Sequence, residues 1–205
     1  MLPVGAENPC EDDVFQHPLN NSDPVFQTIT GQLRQVRVLR ADFSQTKQLK
    51  ALRRPLLSAG TFLFAAEQGI YWRTQTPFHN VFVISPNTIL QQAEGQKPIR
   101  IDVAERPIVR GFTDVFLSLF AGETQGLEKR FELYFSGRAD AWTLGLKPKG
   151  AILEKLIDRV VLCGGDTVRQ IQFIEATGDR TLIQFSQVKS QPSELSEEER
   201  AHFSR

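Results

Sequence analysis

The chain has little of what gives a protein an obvious chemistry. It holds two cysteines, Cys10 and Cys163, and three histidines in 205 residues. There is no CxxC pair and no His cluster, so a tetrahedral zinc site is not expected. The two cysteines can pair in an oxidising compartment or remain separate thiols, and the sequence leaves both open. No apolar run approaches the roughly 18 residues of a membrane-crossing helix; Phe62–Ala66 and Ile70–Trp72 are strand-sized. Neither sign of charge is in excess, with 24 Lys plus Arg against 24 Asp plus Glu. With no basic stripe interleaved with aromatics, nucleic acid is not an expected partner. Met1–Cys10 lacks the charged and apolar regions of a secretory leader. That fits a cytosolic chain, or a mature one to which Met1 has been added, and the absence of any other Met agrees with the second.

Catalytic signatures are also missing. There is no GxSxG, HExxH, P-loop or GxGxxG. Cys163 before Gly164, Gly165 and Asp166 offers a nucleophile beside a carboxylate, but the run reads better as a strand entering a tight turn. His79 has no Asp or Cys partner near it in sequence and reads as an ordinary strand histidine. No catalytic residue, metal ligand or cofactor is assigned. Glu197, Glu198 and Glu199 suit the first turn of a helix through its dipole. Lys50, Arg53 and Arg54 form a basic cluster in a loop, either simply solvated or a docking patch for a membrane partner or anionic headgroup.

What is present in quantity is phenylalanine, 15 residues against 2 Tyr, 2 Trp and 1 Met. Rings without a polar handle fill cores or line greasy pockets. Residues 1–22 are polar and read as a loose, flexible tail, with one domain over 23–205. Asp23 and Pro24 give a cap and a first helical position. Phe26, Ile29, Leu33 and Val36 then predict an amphipathic helix of about 13–15 residues. From Leu39 the period falls to two. Eight alternating runs follow, around Ala41 and Phe43, Phe62 and Phe64, Ile70 and Trp72, Ile99 and Ile101, Leu133, Trp142 and Leu144, Ile171 and Phe173, and Ile183 and Phe185. Less regular strands are expected at Val81–Ile84, around Phe82, at Thr88–Gln92 and at Val160–Cys163. Gly and Pro-Asn turn signals separate them. Thr113 and Asp114 can cap a short helix over Val115–Phe120, apolar nearly all round, with Gly122 as its stop. Ser196 and Glu199 form a capping-box pattern for a final helix ending near Phe203.

Many antiparallel strands with one apolar face imply a sandwich, a barrel or a strongly curled sheet. A single sheet of about ten strands curled inward must enclose something. Phe43, Phe62, Phe64, Ile70, Trp72, Leu133, Trp142 and Phe173 are the inward side chains. If they leave a gap, the hollow binds hydrocarbon. Each buried methylene is worth about 0.8 kcal/mol, so a chain of roughly 16 carbons gains on the order of 10 kcal/mol gross. The Val115–Phe120 helix, with Phe116 and Phe120 at the mouth, is placed to refill that hollow when empty. A helix packed permanently into an ordinary core is the plainer alternative.

The sequence resembles the outer-membrane lipoprotein carrier (LolA) family, in a divergent, lipid-transport-associated branch. The resemblance rests on Ala41-Asp42-Phe43-Ser44-Gln45 after the first helix, and on Ser58-Ala59-Gly60-Thr61-Phe62-Leu63-Phe64 leading to Gly69-Ile70-Tyr71-Trp72. It also rests on Trp142-Thr143-Leu144-Gly145-Leu146-Lys147-Pro148-Lys149. It spans about residues 24–188, and order and spacing carry it more than any one motif. It implies a mainly β fold, an unclosed antiparallel β-barrel of about ten to eleven strands with an N-terminal helix and short lid helices. It implies a cavity shielding acyl chains, lined by Phe43, Phe62, Phe64, Ile70, Trp72, Phe82, Phe116, Phe120, Leu133, Trp142, Leu144 and Phe173. It further implies a periplasmic, non-enzymatic monomer that carries lipoproteins or (glyco)lipids between an inner-membrane exporter and an outer-membrane acceptor. The family's Arg-Pro, thought to control lid closure, falls here on Ala66 and Glu67, and its Asp-Gly turn on Pro86 and Asn87. A sensor of lipids or envelope stress is the second reading, and an enzyme acting on lipid chains through Cys163 or His79 the third.

Overall fold

The structure is a computed structural model that describes residues 12–103, 113, 117, 118 and 120–204. Helix α1 covers Pro24–Arg34. The Asp23 carboxylate accepts from the amides of Val25 and Phe26 at 2.8 and 3.1 Å, which satisfies two otherwise orphaned donors. The helix is shorter than its apolar spacing predicts. Gln35 and Val36 close the end with tighter bonds back to Gln32 and Leu33, and Val36 lies beyond the helix. The strand that starts at Val38, where the apolar period falls to two, takes over.

Eleven strands follow: β1 (Val38–Gln48), β2 (Leu56–Ala65), β3 (Gly69–Thr76), β4 (Asn80–Ile84), β5 (Thr88–Ala93), β6 (Ile99–Asp102), β7 (Phe131–Arg138), β8 (Ala141–Pro148), β9 (Ile157–Gly164), β10 (Val168–Glu175) and β11 (Arg180–Lys189). They form one antiparallel sheet in the order β6-β5-β4-β3-β2-β1-β11-β10-β9-β8-β7. Consecutive hairpins build two wings, and the long-range pairing of β1 with β11 joins them. The sheet does not close, because β6 and β7 are both edges. The chain between those edges contains a helical stretch seen at Thr113, Leu117, Ser118 and Phe120, and then α2 (Gln125–Glu128). Helix α3 (Ala151–Glu154) links β8 to β9, and α4 (Glu197–Phe203) ends the chain.

Directly opposed residues share a face. One row runs Phe135, Leu144, Leu162, Ile171, Ile183 across β7 to β11, and another runs Ala41, Phe62, Trp72, Phe82 across β1 to β4. These rows form the concave side, where the main core lies. The convex side is apolar in two places, each with its own cover. Residues 12–20, read above as part of a loose tail, lie on β7 and β8. A 3-10 turn at Asp12–Gln16 buries Val14 against Val161 and Cys163, and Pro18 bridges to Tyr134. Gly145 permits this, because a Cβ there would meet Val14 and Phe15 side-chain atoms at 2.8 Å. Over the other wing, Leu195 and Phe203 pack on Val38, Leu63, Tyr71 and Val83. The final helix has the capping box its sequence predicts, with Ser196 and Glu199 bonded reciprocally.

Candidate functional site: a self-filled apolar hollow

Most of the residues expected to line the hollow meet there. Phe43, Phe62, Phe64, Ile70, Leu133, Trp142, Leu144, Phe173 and Phe120 all belong to one buried cluster, with Trp72 packed on its margin. Phe82 shares the Trp72 row but is only half-buried and stays outside the cluster. It belongs to the thin wing near the β6 edge, where little covers the wall. Phe116 lies outside the described residues, as do Asp114 and Val115.

The expectation of an unfilled hollow is not met. Phe120, only 3% exposed, stands 4.7 Å from Phe62, 5.8 Å from Phe64 and 5.7 Å from Phe185, centroid to centroid. These are ordinary aromatic packing distances. Phe62 also meets Phe185 at 5.0 Å, and Phe43 meets Trp72 at 4.1 Å. On the other wing α1 lays Phe26, Ile29 and Leu33 into the wall, and Phe26 meets Phe135 edge-on at 5.2 Å. A cavity of only about 20 Å³ remains here, bordered by Phe26, Ile29, Leu33, Phe135, Trp142 and Leu144. It has room for about one water and none for an acyl chain. Phe185 and the α1 residues were missing from the expected lining. Phe185 continues the Ile183 alternation, and the α1 stripe is explicit at helical spacing, so both signals were available.

The plug is held mainly by apolar contact. Gly122, at φ +66°, turns the chain against α1, and Arg34 Nε donates to its carbonyl at 3.1 Å. A Cβ at Gly122 would lie 2.7 Å from the Thr30 carbonyl oxygen. Thr113 is 2% exposed, and its hydroxyl has no hydrogen-bond partner among the described residues. An unsatisfied buried hydroxyl costs about 1–3 kcal/mol. The seated plug therefore combines good ring packing with a polar penalty.

Other candidate chemistry disperses. Cys163 is disulfide-bonded and so is no thiolate nucleophile; the only other cysteine of the sequence, Cys10, lies outside the described residues. His79 is exposed, with Nδ1 3.4 Å from a Glu94 carboxylate oxygen, far along the sheet from Cys163. Among the described residues no group of three His, Cys, Asp or Glu could hold a metal, and no helix is long and apolar enough to cross a membrane. In the Ala66–Glu67 turn, Glu67 pairs with Arg37. The strongest electrostatic feature is convex. Arg40 reaches Glu199 with Nε at 2.6 Å and a second nitrogen at 2.8 Å, and donates to the Pro192 and Glu194 carbonyls. The hydrogen bond from Arg40 holds the Glu199 carboxyl down to about 2.

A relative from Dechloromonas aromatica (strain RCB), described as an outer-membrane lipoprotein carrier protein, is 27% identical over 169 residues, 78% of this chain and 75% of its own. A LolA superfamily protein from Nitrosomonas europaea is similar in structure, with TM-score 0.46, 10% identity and 85% and 96% of the two chains covered. LprF from Mycobacterium bovis gives 0.38, 9%, and 86% and 96%. The family model for outer membrane lipoprotein carrier protein LolA-like domains matches residues 22–192, and with most of its length so matched, this chain belongs to that LolA-like family of carrier-type proteins.

Proposed function

We propose that the protein is a periplasmic carrier that shields acyl chains of lipoproteins or (glyco)lipids on their way to the outer membrane. The carrying observation is Phe120. A side chain from the connection between the two free edges occupies the aromatic wall, and the gap beside α1 among the described residues is only about 20 Å³. A guest chain takes the place of the plug and inherits its contacts with Phe62, Phe64 and Phe185. The cargo's methylenes, at about 0.8 kcal/mol each, offset the displaced ring packing, and the release of Thr113 to solvent assists. An empty carrier that refills itself avoids the cavity penalty of roughly 24 cal/mol per Å³. Family membership and the naming of the Dechloromonas relative support an envelope location, with an inner-membrane donor and an outer-membrane acceptor as partners.

The two tryptophans of the chain, Trp72 and Trp142, both belong to the concave wall, so their emission reports on its contents. The test is titration with a fluorescent fatty acid, read by energy transfer from these residues, with native mass spectrometry for co-purified lipid. The wild type should bind, and Phe120→Ala should bind about ten-fold more tightly, because its plug is weaker. Binding in neither protein, with no lipid in the mass spectrum, would overturn the carrier reading.

A further inference from the structure

The large exposed hydrophobic residues are not scattered. Among the described residues, Leu52, Leu56, Leu57, Phe78, Ile99 and Ile152 make up that set, from Leu52 at 46% to Phe78 at 79% exposed. All six fall at one end of the strands. The ladder fixes this: β1 and β2 meet at Lys47 and Leu56, β3 pairs with β2 at Thr76 and Ala59, and β5 pairs with β6 at Gln91 and Ile99. The Glu94 amide donates to the His79 carbonyl, which joins the β5–β6 turn to the β3–β4 tip. The Lys50 amide donates to Asp179, which joins the β1–β2 tip to the β10–β11 turn. The Ala176 amide donates to the Leu156 carbonyl, which adds the α3 link.

The same end is basic. Its segments 47–57, 73–80, 94–100, 128–130, 149–155 and 175–180 hold twelve Lys or Arg and five Asp or Glu, an excess of seven positive charges. Segment 47–57 alone has Lys47, Lys50, Arg53 and Arg54, and no acid. The turns at the other end are different. Residues 35–37, 66–69, 85–87, 138–140 and 164–169 carry three cations and three anions. Those six pair off as Arg37 with Glu67, Arg138 with Asp140, and Arg169 with Asp166, and no large exposed hydrophobic residue is found there. In a chain of zero formal net charge, one rim is basic and greasy, while these described turns of the other are neutral and polar.

We infer that the basic, apolar rim is a docking surface for an anionic phospholipid bilayer. Exposed Leu, Ile and Phe reach the headgroup boundary, and the surrounding Lys and Arg meet lipid phosphates. Neither element suffices alone, since weak insertion and screened attraction must act together. The inference stands on the rim alone and does not require the hollow to carry cargo.

Flotation of the full chain with vesicles tests it, comparing pure phosphatidylcholine with mixtures holding about a third phosphatidylglycerol. Binding is expected on the anionic vesicles only, and about 0.5 M NaCl should remove most of it. Each basic residue near the surface contributes about five-fold, so Arg53→Glu with Arg54→Glu should weaken binding by at least 25-fold. Leu57→Ser with Phe78→Ser should weaken it about ten-fold, while Arg138→Glu at the other rim should leave it unchanged. All these positions are exposed, and unchanged thermal melting checks that the variants fold. Equal partition on neutral and anionic vesicles, undiminished binding by the rim variants, or the same loss in Arg138→Glu would each overturn the inference. The rim variants should keep wild-type affinity for the fluorescent fatty acid, so a failure of docking and a failure of carriage are read separately.

Discussion

Both faces of the sheet are covered by helix, but they are fastened by different physics. On the convex face, α4 is tied by a bidentate Arg40–Glu199 pair, two further bonds from Arg40 to backbone carbonyls, and a capping box. These interactions are directional and specify one position. On the concave face, Phe120 and α1 are seated by ring and aliphatic contact, with one side-chain clasp from Arg34 and an unsatisfied hydroxyl at Thr113 among the described residues. Apolar contact is non-directional, and one hydrocarbon can replace another at little cost. The convex cover is fastened by polar bonds, and the concave cover, which the proposed function requires to exchange, is fastened by greasy ones.

The largest effect should come from the wall itself. Phe64 is 1% exposed near the end of β2. Phe64→Ala should cost about 3–5 kcal/mol, seen as a lower midpoint in denaturant unfolding. A cost below about 1 kcal/mol would mean that the wall is as loose as its plug.

Next is the convex clasp. Arg40→Ala strands Glu199 and frees two carbonyls, and should cost about 2–3 kcal/mol, with faster amide exchange confined to α4. The same clasp sets an acid dependence. The Glu199 carboxyl is held at about 2 in the folded chain, below its ordinary 4.5. A depressed carboxylate stabilises above its unfolded value and loses that contribution as pH falls, so stability should decline from about pH 4.5 toward 2. Its share is on the order of 2 kcal/mol and should be missing in Glu199→Gln, measured by thermal melting across that range.

Phe120→Ala removes a ring as buried as Phe62, yet should cost only about 1–2 kcal/mol, because the segment can withdraw and relieve Thr113. A loss equal to that of Phe64→Ala would erase the distinction between wall and plug. The smallest effect belongs to the neutral rim. Asp140→Asn opens an exposed pair with Arg138 and should change stability by less than about 0.5 kcal/mol in the same unfolding assay.

The strands were legible because their signal is local. Period-two runs from Leu39 to Phe185 locate eight of the eleven, the less regular runs at Val81–Ile84, Thr88–Gln92 and Val160–Cys163 give the other three, and the Ser196–Glu199 spacing marks α4. The end of α1 was less legible, because Val36 continues the helical stripe although the chain has already turned toward β1. What alternation cannot convey is which residues meet across the fold. The β1–β11 pairing, the seat of Phe120 against Phe185, and the burial of Val14 over Gly145 all join positions far apart in sequence. How full a concave wall is depends on those distant partners, so the apolar character of the hollow was readable and its occupancy was not.

The order of strands has one more consequence. The segment bearing Phe120 is strapped between β6 and β7, the two free margins of the curled sheet. Those margins are separated in the sheet by nine strands, so Phe120 stays covalently tethered to both wings whatever lies against the wall.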